Sequence, residues 1–151
     1  MSDTESILDA CSLLAFFQNE SGAEKVEALL KSAQGEEIRL YLHKINFLEV
    51  YYKVMQKDAA KAKLVYETIL RLPIIIQTDF TDEIFEEAAR LKVQYKVSLA
   101  DSIALAVASI NQWTLVTCDH NELDRVDESE NIKFEWIRPK NRGLIAKADK
   151  K

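Results

Sequence analysis

An α/β domain built on a parallel sheet is what the residue pattern predicts, and three observations predict it. Strand-like apolar runs alternate with stretches of helical spacing from one end to the other. Hydrophobic residues make up 48% of the chain while only 3 Gly and 2 Pro interrupt it, which favours a helix-rich globule over disorder or a small disulfide scaffold. The length of 151 residues fits one domain with a substantial core, and neither an internal repeat nor a low-complexity linker divides it.

Ser6 to Asp9 reads as a first strand, followed after Ala10 by an apolar helical turn, Ser12 to Phe17. Ala23, Val26, Leu29, Leu30 and Ala33 recur at helical spacing behind Ser21, which suits an N-cap. Arg39 to Leu42 suits a second strand, and Lys44 to Gln56 a helix presenting Ile45, Leu48 and Tyr52 on one side. Asp58 can cap a helix running to about Arg71, after which Pro73 to Gln77 reads as a buried strand. Thr81 caps a helix to about Tyr95, with acids in its first turn and Ile84, Phe85, Ala88, Ala89 and Leu91 for packing. Ser98-Leu99-Ala100-Asp101 resembles a capping box with Asp in place of Glu, and the helix it opens is apolar nearly all round, as a core helix should be. Trp113 to Thr117 forms another buried strand. A polar loop follows, and Lys133 to Ile137 makes a fifth strand, placed at an edge by Arg138-Pro139.

Four acids stand at defined places on these apolar segments. Asp9 ends the first strand, Glu49 lies on the helix after the second, Asp101 opens the core helix, and Asp119 closes Thr114-Leu115-Val116-Thr117-Cys118-Asp119. Ligands of open parallel sheets sit outside the carboxyl ends of the strands, where Asp9 and Asp119 fall. Brought together, such carboxylates repel by roughly 3 kcal/mol per pair at ~5 Å and an effective dielectric of ~20, a cost that a bound cation cancels. An all-oxygen donor set without His or Cys favours Mg²⁺ or Mn²⁺, which share their remaining positions with substrate phosphates. Taken singly each acid has a plain structural role: a helix N-terminal residue for Asp101, a turn acid for Asp9 or Asp119, a solvated helix face for Glu49. The set carries the argument. Asp124 and Asp127 belong to the polar loop and face solvent, Asp124 being the one auxiliary ligand the spacing allows.

The formal charge of −5 is unevenly spread: Arg138, Lys140, Arg142, Lys147, Lys150 and Lys151 stand against Asp149 alone in the final segment, leaving the rest strongly acidic. Nucleic acid would therefore need local basic patches and divalent ions to bind. We expect one domain over residues 1–139 and a basic tail over 140–151, which reads equally as a solvated end or a functional arm. No apolar run reaches the ~20 residues of a bilayer span, and the acidic start lacks a signal-peptide pattern, so a cytoplasmic protein without a membrane role is expected. Cys11 and Cys118 are expected to stay reduced as small buried hydrophobes, although their place beside Asp9 and Asp119 would allow the thiols to be near each other. His43 and His120 have no spaced partner for zinc or a catalytic triad.

These residues resemble the PIN-domain nucleases, and more closely the VapC-type toxins of toxin and antitoxin pairs. Ile7-Leu8-Asp9-Ala10-Cys11-Ser12-Leu13-Leu14-Ala15 resembles the family's opening strand and first acid, Phe47-Leu48-Glu49-Val50 its second acidic motif, Val97 to Ala106 its third and Leu115 to Asp119 its fourth. The resemblance implies a three-layer α/β/α sandwich with a five-stranded parallel sheet of order 3-2-1-4-5. It also implies Mg²⁺- or Mn²⁺-dependent hydrolysis of RNA by an endoribonuclease, water attacking phosphorus and the leaving oxygen departing as a 3′-hydroxyl. By the same likeness Asp9, Glu49, Asp101 and Asp119 would be both catalytic and metal-holding, with Thr117 supporting them by a hydrogen bond. A homodimer and a cognate antitoxin that blocks the site are implied too. One departure is Cys11, where the family tends to place a small polar residue.

The rival from another class is a PIN-like module that binds RNA or protein while its acids hold a structural ion. A receiver-type phosphoacceptor lacks here its acidic pair and late Lys, and an Asp-x-Asp phosphatase fails because Cys11 takes the second Asp's place. Tyr41, Tyr51, Tyr52 and Trp113 can stack on bases, but packing explains each better.

Overall fold

In the computed structural model, which describes residues 4–140, five strands form one parallel sheet. They are β1 (Glu5–Leu8), β2 (Arg39–His43), β3 (Ile74–Gln77), β4 (Thr114–Thr117) and β5 (Phe134–Trp136), in the order β3-β2-β1-β4-β5. The expected order is therefore correct. β1 is central: Ile7 pairs with Tyr41 on one side and Leu115 on the other, and Leu8 with Leu42 and Val116.

Alternation along the strands sends successive side chains to opposite layers. Ile7 and Leu115 join the core under α5 (Asp82–Tyr95), α6 (Leu99–Asn111) and α7 (His120–Ser129). Leu8 and Val116 join the core under α1 (Ala10–Phe17), α2 (Ala23–Gln34), α3 (Lys44–Lys57) and α4 (Ala59–Arg71). Helix α6 is packed between the sheet and its neighbours α5 and α3, with every residue from Asp101 to Ala108 buried, which accounts for its apolar circumference. Asp58 and Thr81 cap α4 and α5 through their side chains, as expected. The basic tail lies outside the described residues beyond Lys140. Among the described residues no helix is long and apolar enough to cross a membrane.

Several sequence expectations are corrected. The stretch after Asp119 is helix α7, whose buried side consists of Leu123 and Val126 alone. The cap of α2 is Gly22, at φ +98°, instead of Ser21; a Cβ there would sit 2.8 Å from the side chain and carbonyl of Ile137. Strand β3 is an edge with Ile75 47% exposed, because among the described residues nothing pairs beyond it. On α3 Ile45, Leu48 and Tyr52 do share one side, but that side faces outward, Leu48 at 54%, and the buried side is Asn46, Phe47, Val50 and Val54. Phe85 on α5 is also exposed. Finally, Cys11 and Cys118 are joined as a disulfide, their Cα atoms 5.9 Å apart. Parallel β1 and β4 are adjacent, so the residues just past their ends meet.

Candidate metal centre

The carboxyl ends of β1 and β4 meet the N-terminus of α6 and the inner side of α3, and each contributes acids to one place. Asp9 follows β1 and caps α1: its Oδ1 accepts from the Ser12 N–H at 2.9 Å, and Thr117 Oγ1 donates to its Oδ2. The side chain is 1% exposed. Burial pushes its carboxyl up to about 6, with a lesser push from Asp119, while the bonds from Thr117 and Ser12 pull the other way. Thr117 Oγ1 also accepts from the Asp119 N–H at 3.2 Å, so one hydroxyl ties the two strand-end acids together. The supporting role expected of Thr117 has its contact.

Asp119 caps α7 by accepting from the Glu122 N–H at 3.2 Å. That geometry points the first turn of α7 back at α6, and Glu122 Oε1 accepts from the Ser98 N–H at 2.6 Å. Half of the anticipated capping box is thus made by another helix. Ser98 Oγ accepts from the Asp101 N–H, but Glu122 takes the reciprocal position that the Asp101 carboxyl would have filled. Asp101 is left free to face the other acids. Burial, then the charges of Asp9, Glu122, Glu49 and Asp119, raise its carboxyl to about 8.

Glu49, on α3, pairs through Oε2 with Lys53 Nζ at 2.7 Å, while its Oε1 is shielded from water and has no hydrogen-bond partner. Among the described residues Lys53 is the one cation paired with any of these acids. Glu49, Asp101, Asp119 and Glu122 line one cleft of about 540 Å³, with Lys53 and Lys57 along its α3 wall.

The structure brings the four sequence-predicted acids together and adds a fifth. Donor atoms of Asp101, Asp119 and Glu122 lie within 4.8 Å of one another. Asp9 and Glu49 lie outside that set, yet close enough for their charges to act on Asp101. Asp124 is not an auxiliary ligand: it binds His120 Nδ1 at 2.7 Å and Lys140 Nζ at 3.2 Å. Asp127 accepts from Trp136 Nε1 at 2.8 Å. His120 stacks on Trp136, and His43 caps α3, so neither histidine enters the cleft chemistry. Tyr41 stacks on Trp113 with centroids 3.8 Å apart, the packing role anticipated for both.

The donor set tests well for a hard divalent cation. It is all carboxylate oxygen, partly dehydrated, held by caps on rigid elements, and mutually repulsive without a counter-charge. Among the described residues no histidine or free thiol stands with these acids, the two cysteines beside them being joined as the disulfide.

The PIN domain model matches residues 6–129, and the chain belongs to that family. No curated protein matches the chain. Among solved structures it is similar to a DNA-bound VapBC from Salmonella typhimurium, at 14% identity and a TM-score of 0.68 over 89% of this chain and 98% of the other. It is similar also to VapBC2 from Rickettsia felis bound to a promoter DNA fragment, at 18% identity and 0.65 over 87% and 97%. A third is PAE2754 from Pyrobaculum aerophilum, at 18% and 0.58 over 98% and 91%. At these identities the likeness establishes the fold, with the sheet order already described.

Proposed function

We propose that this PIN-domain protein is a Mg²⁺- or Mn²⁺-dependent endoribonuclease and the toxin half of a toxin and antitoxin pair. The observation that carries the nuclease reading is Asp101: a buried carboxyl turned away from its own helix cap and into the field of four other acids, at the end of a parallel sheet. Such an arrangement raises the energy of the ion-free fold and is relieved by a divalent cation. Asp9, Glu49, Asp101 and Asp119 are the residues we assign to hold it and to serve the reaction, with Glu122 beside them. When bound, a divalent ion supplies charge stabilisation at the phosphate and lowers the pKa of water. The protein's own part is placement. Ser12 and Thr117 fix both oxygens of Asp9, Thr117 and α7 fix Asp119, and Glu122 keeps Ser98 from claiming Asp101.

The antitoxin half of the reading is supported by the kinds of complex in which similar folds were solved, and by an apolar strip on α3 and α4. Leu48, Tyr66 and Leu70 are exposed there around a cleft of about 330 Å³, a surface suited to a protein partner or a second copy. The nuclease reading is tested by incubating purified protein with total RNA in Mg²⁺, Mn²⁺ or EDTA and mapping the cleaved ends. Cleavage is expected in the first two only, and to disappear in Asp9→Asn and Asp101→Asn. Cutting that ignores chelator or survives those variants would overturn it.

A further inference from the structure

Lys53 stands where an acidic site would least be expected to carry a cation. It lies one turn after Glu49 on α3, with Nζ 2.7 Å from Glu49 Oε2, and its side chain is 46% exposed against 15% for Glu49. The ammonium is therefore at the mouth of the cleft and the carboxylate within. An ordinary helix-surface pair at this spacing contributes little and its partners exchange readily with water and salt. This pair differs because its acid faces Asp101, and because the second oxygen, Oε1, is already turned out of water and unpaired.

We propose that Lys53 is a positioning residue for the RNA strand: it holds Glu49 while no cation is bound and moves its ammonium to a phosphate flanking the scissile one once Glu49 is drawn inward. This rests on the nuclease reading and adds the residue that lets a polyanion approach. Asp9, Glu49, Asp101, Asp119 and Glu122 outnumber the charge of one divalent ion, so a diester entering the cleft still meets net negative potential. A lysine is suited to relieve it, since its long stem and three rotatable donors reach a phosphate without needing fixed geometry. Lys57, one turn further along the same wall, continues the path outward.

The test compares wild type, Lys53→Gln and Lys53→Arg in two measurements. Calorimetric titration with Mn²⁺ alone should show Lys53→Gln binding the ion several-fold more tightly, since its competitor for Glu49 is gone. Steady-state cleavage of a labelled single-stranded oligoribonucleotide in Mn²⁺ should show KM raised about tenfold with kcat little changed, and the slope of log KM against log salt reduced by about one, as for loss of one phosphate contact. Lys53→Arg should restore KM. Opposed movements of ion and RNA affinity are the signature, because a lysine that merely braced the helix would weaken both. Weaker Mn²⁺ binding by Lys53→Gln, or an unmoved KM and salt slope alongside wild-type cleavage, would overturn the proposal alone. A wild type that binds Mn²⁺ and cuts no RNA would overturn the nuclease reading and this role with it.

Discussion

Replacing Asp101 by Asn should stabilise the ion-free protein while abolishing its response to metal, and the size of the gain follows from the carboxyl's surroundings. The group rises from an ordinary 3.8 to about 8 on folding, and its side chain receives no hydrogen bond that the substitution would break among the described residues. A carboxyl whose folded pKa is raised binds its proton more tightly in the folded state. Stability is therefore full below the unfolded value and falls as pH rises toward the folded one. The slope has a ceiling of about 1.4 kcal/mol per pH unit, so between pH 5 and pH 8 wild type should lose up to roughly 4 kcal/mol that Asp101→Asn keeps. Urea unfolding in EDTA across that range measures it. Asp9, raised to about 6, adds a smaller decline between pH 4 and 6 that both proteins share. Millimolar Mn²⁺ should recover the wild-type loss and leave the variant unmoved. Parallel pH profiles for the two proteins would refute the reasoning, since the acids would then not share a field.

Four further outcomes are expected. Thr117→Val removes the hydroxyl bonded to Asp9 and to the Asp119 N–H; it should cost about 1–3 kcal/mol by thermal unfolding and push Asp9 further up, moving the acid limb of the pH–rate profile to higher pH. Gly22→Ala places a methyl against Ile137 at a φ of +98° and should lower the urea midpoint by the equivalent of about 2 kcal/mol or more without changing the slope. Reducing the Cys11–Cys118 bond, which spans 107 residues, should cost about 5 kcal/mol in the chain-entropy account; an unchanged melting temperature in reductant would contradict it. Glu122→Gln keeps an acceptor for the Ser98 N–H but removes a charge, so calorimetry should show weaker Mn²⁺ binding with stability at pH 8 unchanged or improved.

The acids and the strands that hold them were legible because each signal is local: a short apolar run ending in Asp, or a cap followed by an apolar helix. What escaped is set by contacts far apart in the chain. Helix α7 shows only Leu123 and Val126 among charges, too narrow a stripe to stand out, and Glu122 acquires its place from Ser98 on another element. On α3 two apolar stripes lie side by side, Ile45-Leu48-Tyr52 and Phe47-Val50-Val54, and spacing alone does not say which one the sheet covers. The left-handed turn at Gly22 depends on how close Ile137 comes, over a hundred residues later. The disulfide has the same origin, since two cysteines this far apart in sequence carry no pairing signal until β1 and β4 are known to be neighbours.

That bridge also decides how the molecule breaks. Its two anchor points enclose β2, β3, β4 and five whole helices within a single covalent ring. A protease nick in any connection between them, such as the turn at Pro73, yields fragments that still migrate together on a non-reducing gel and separate only when thiol is added.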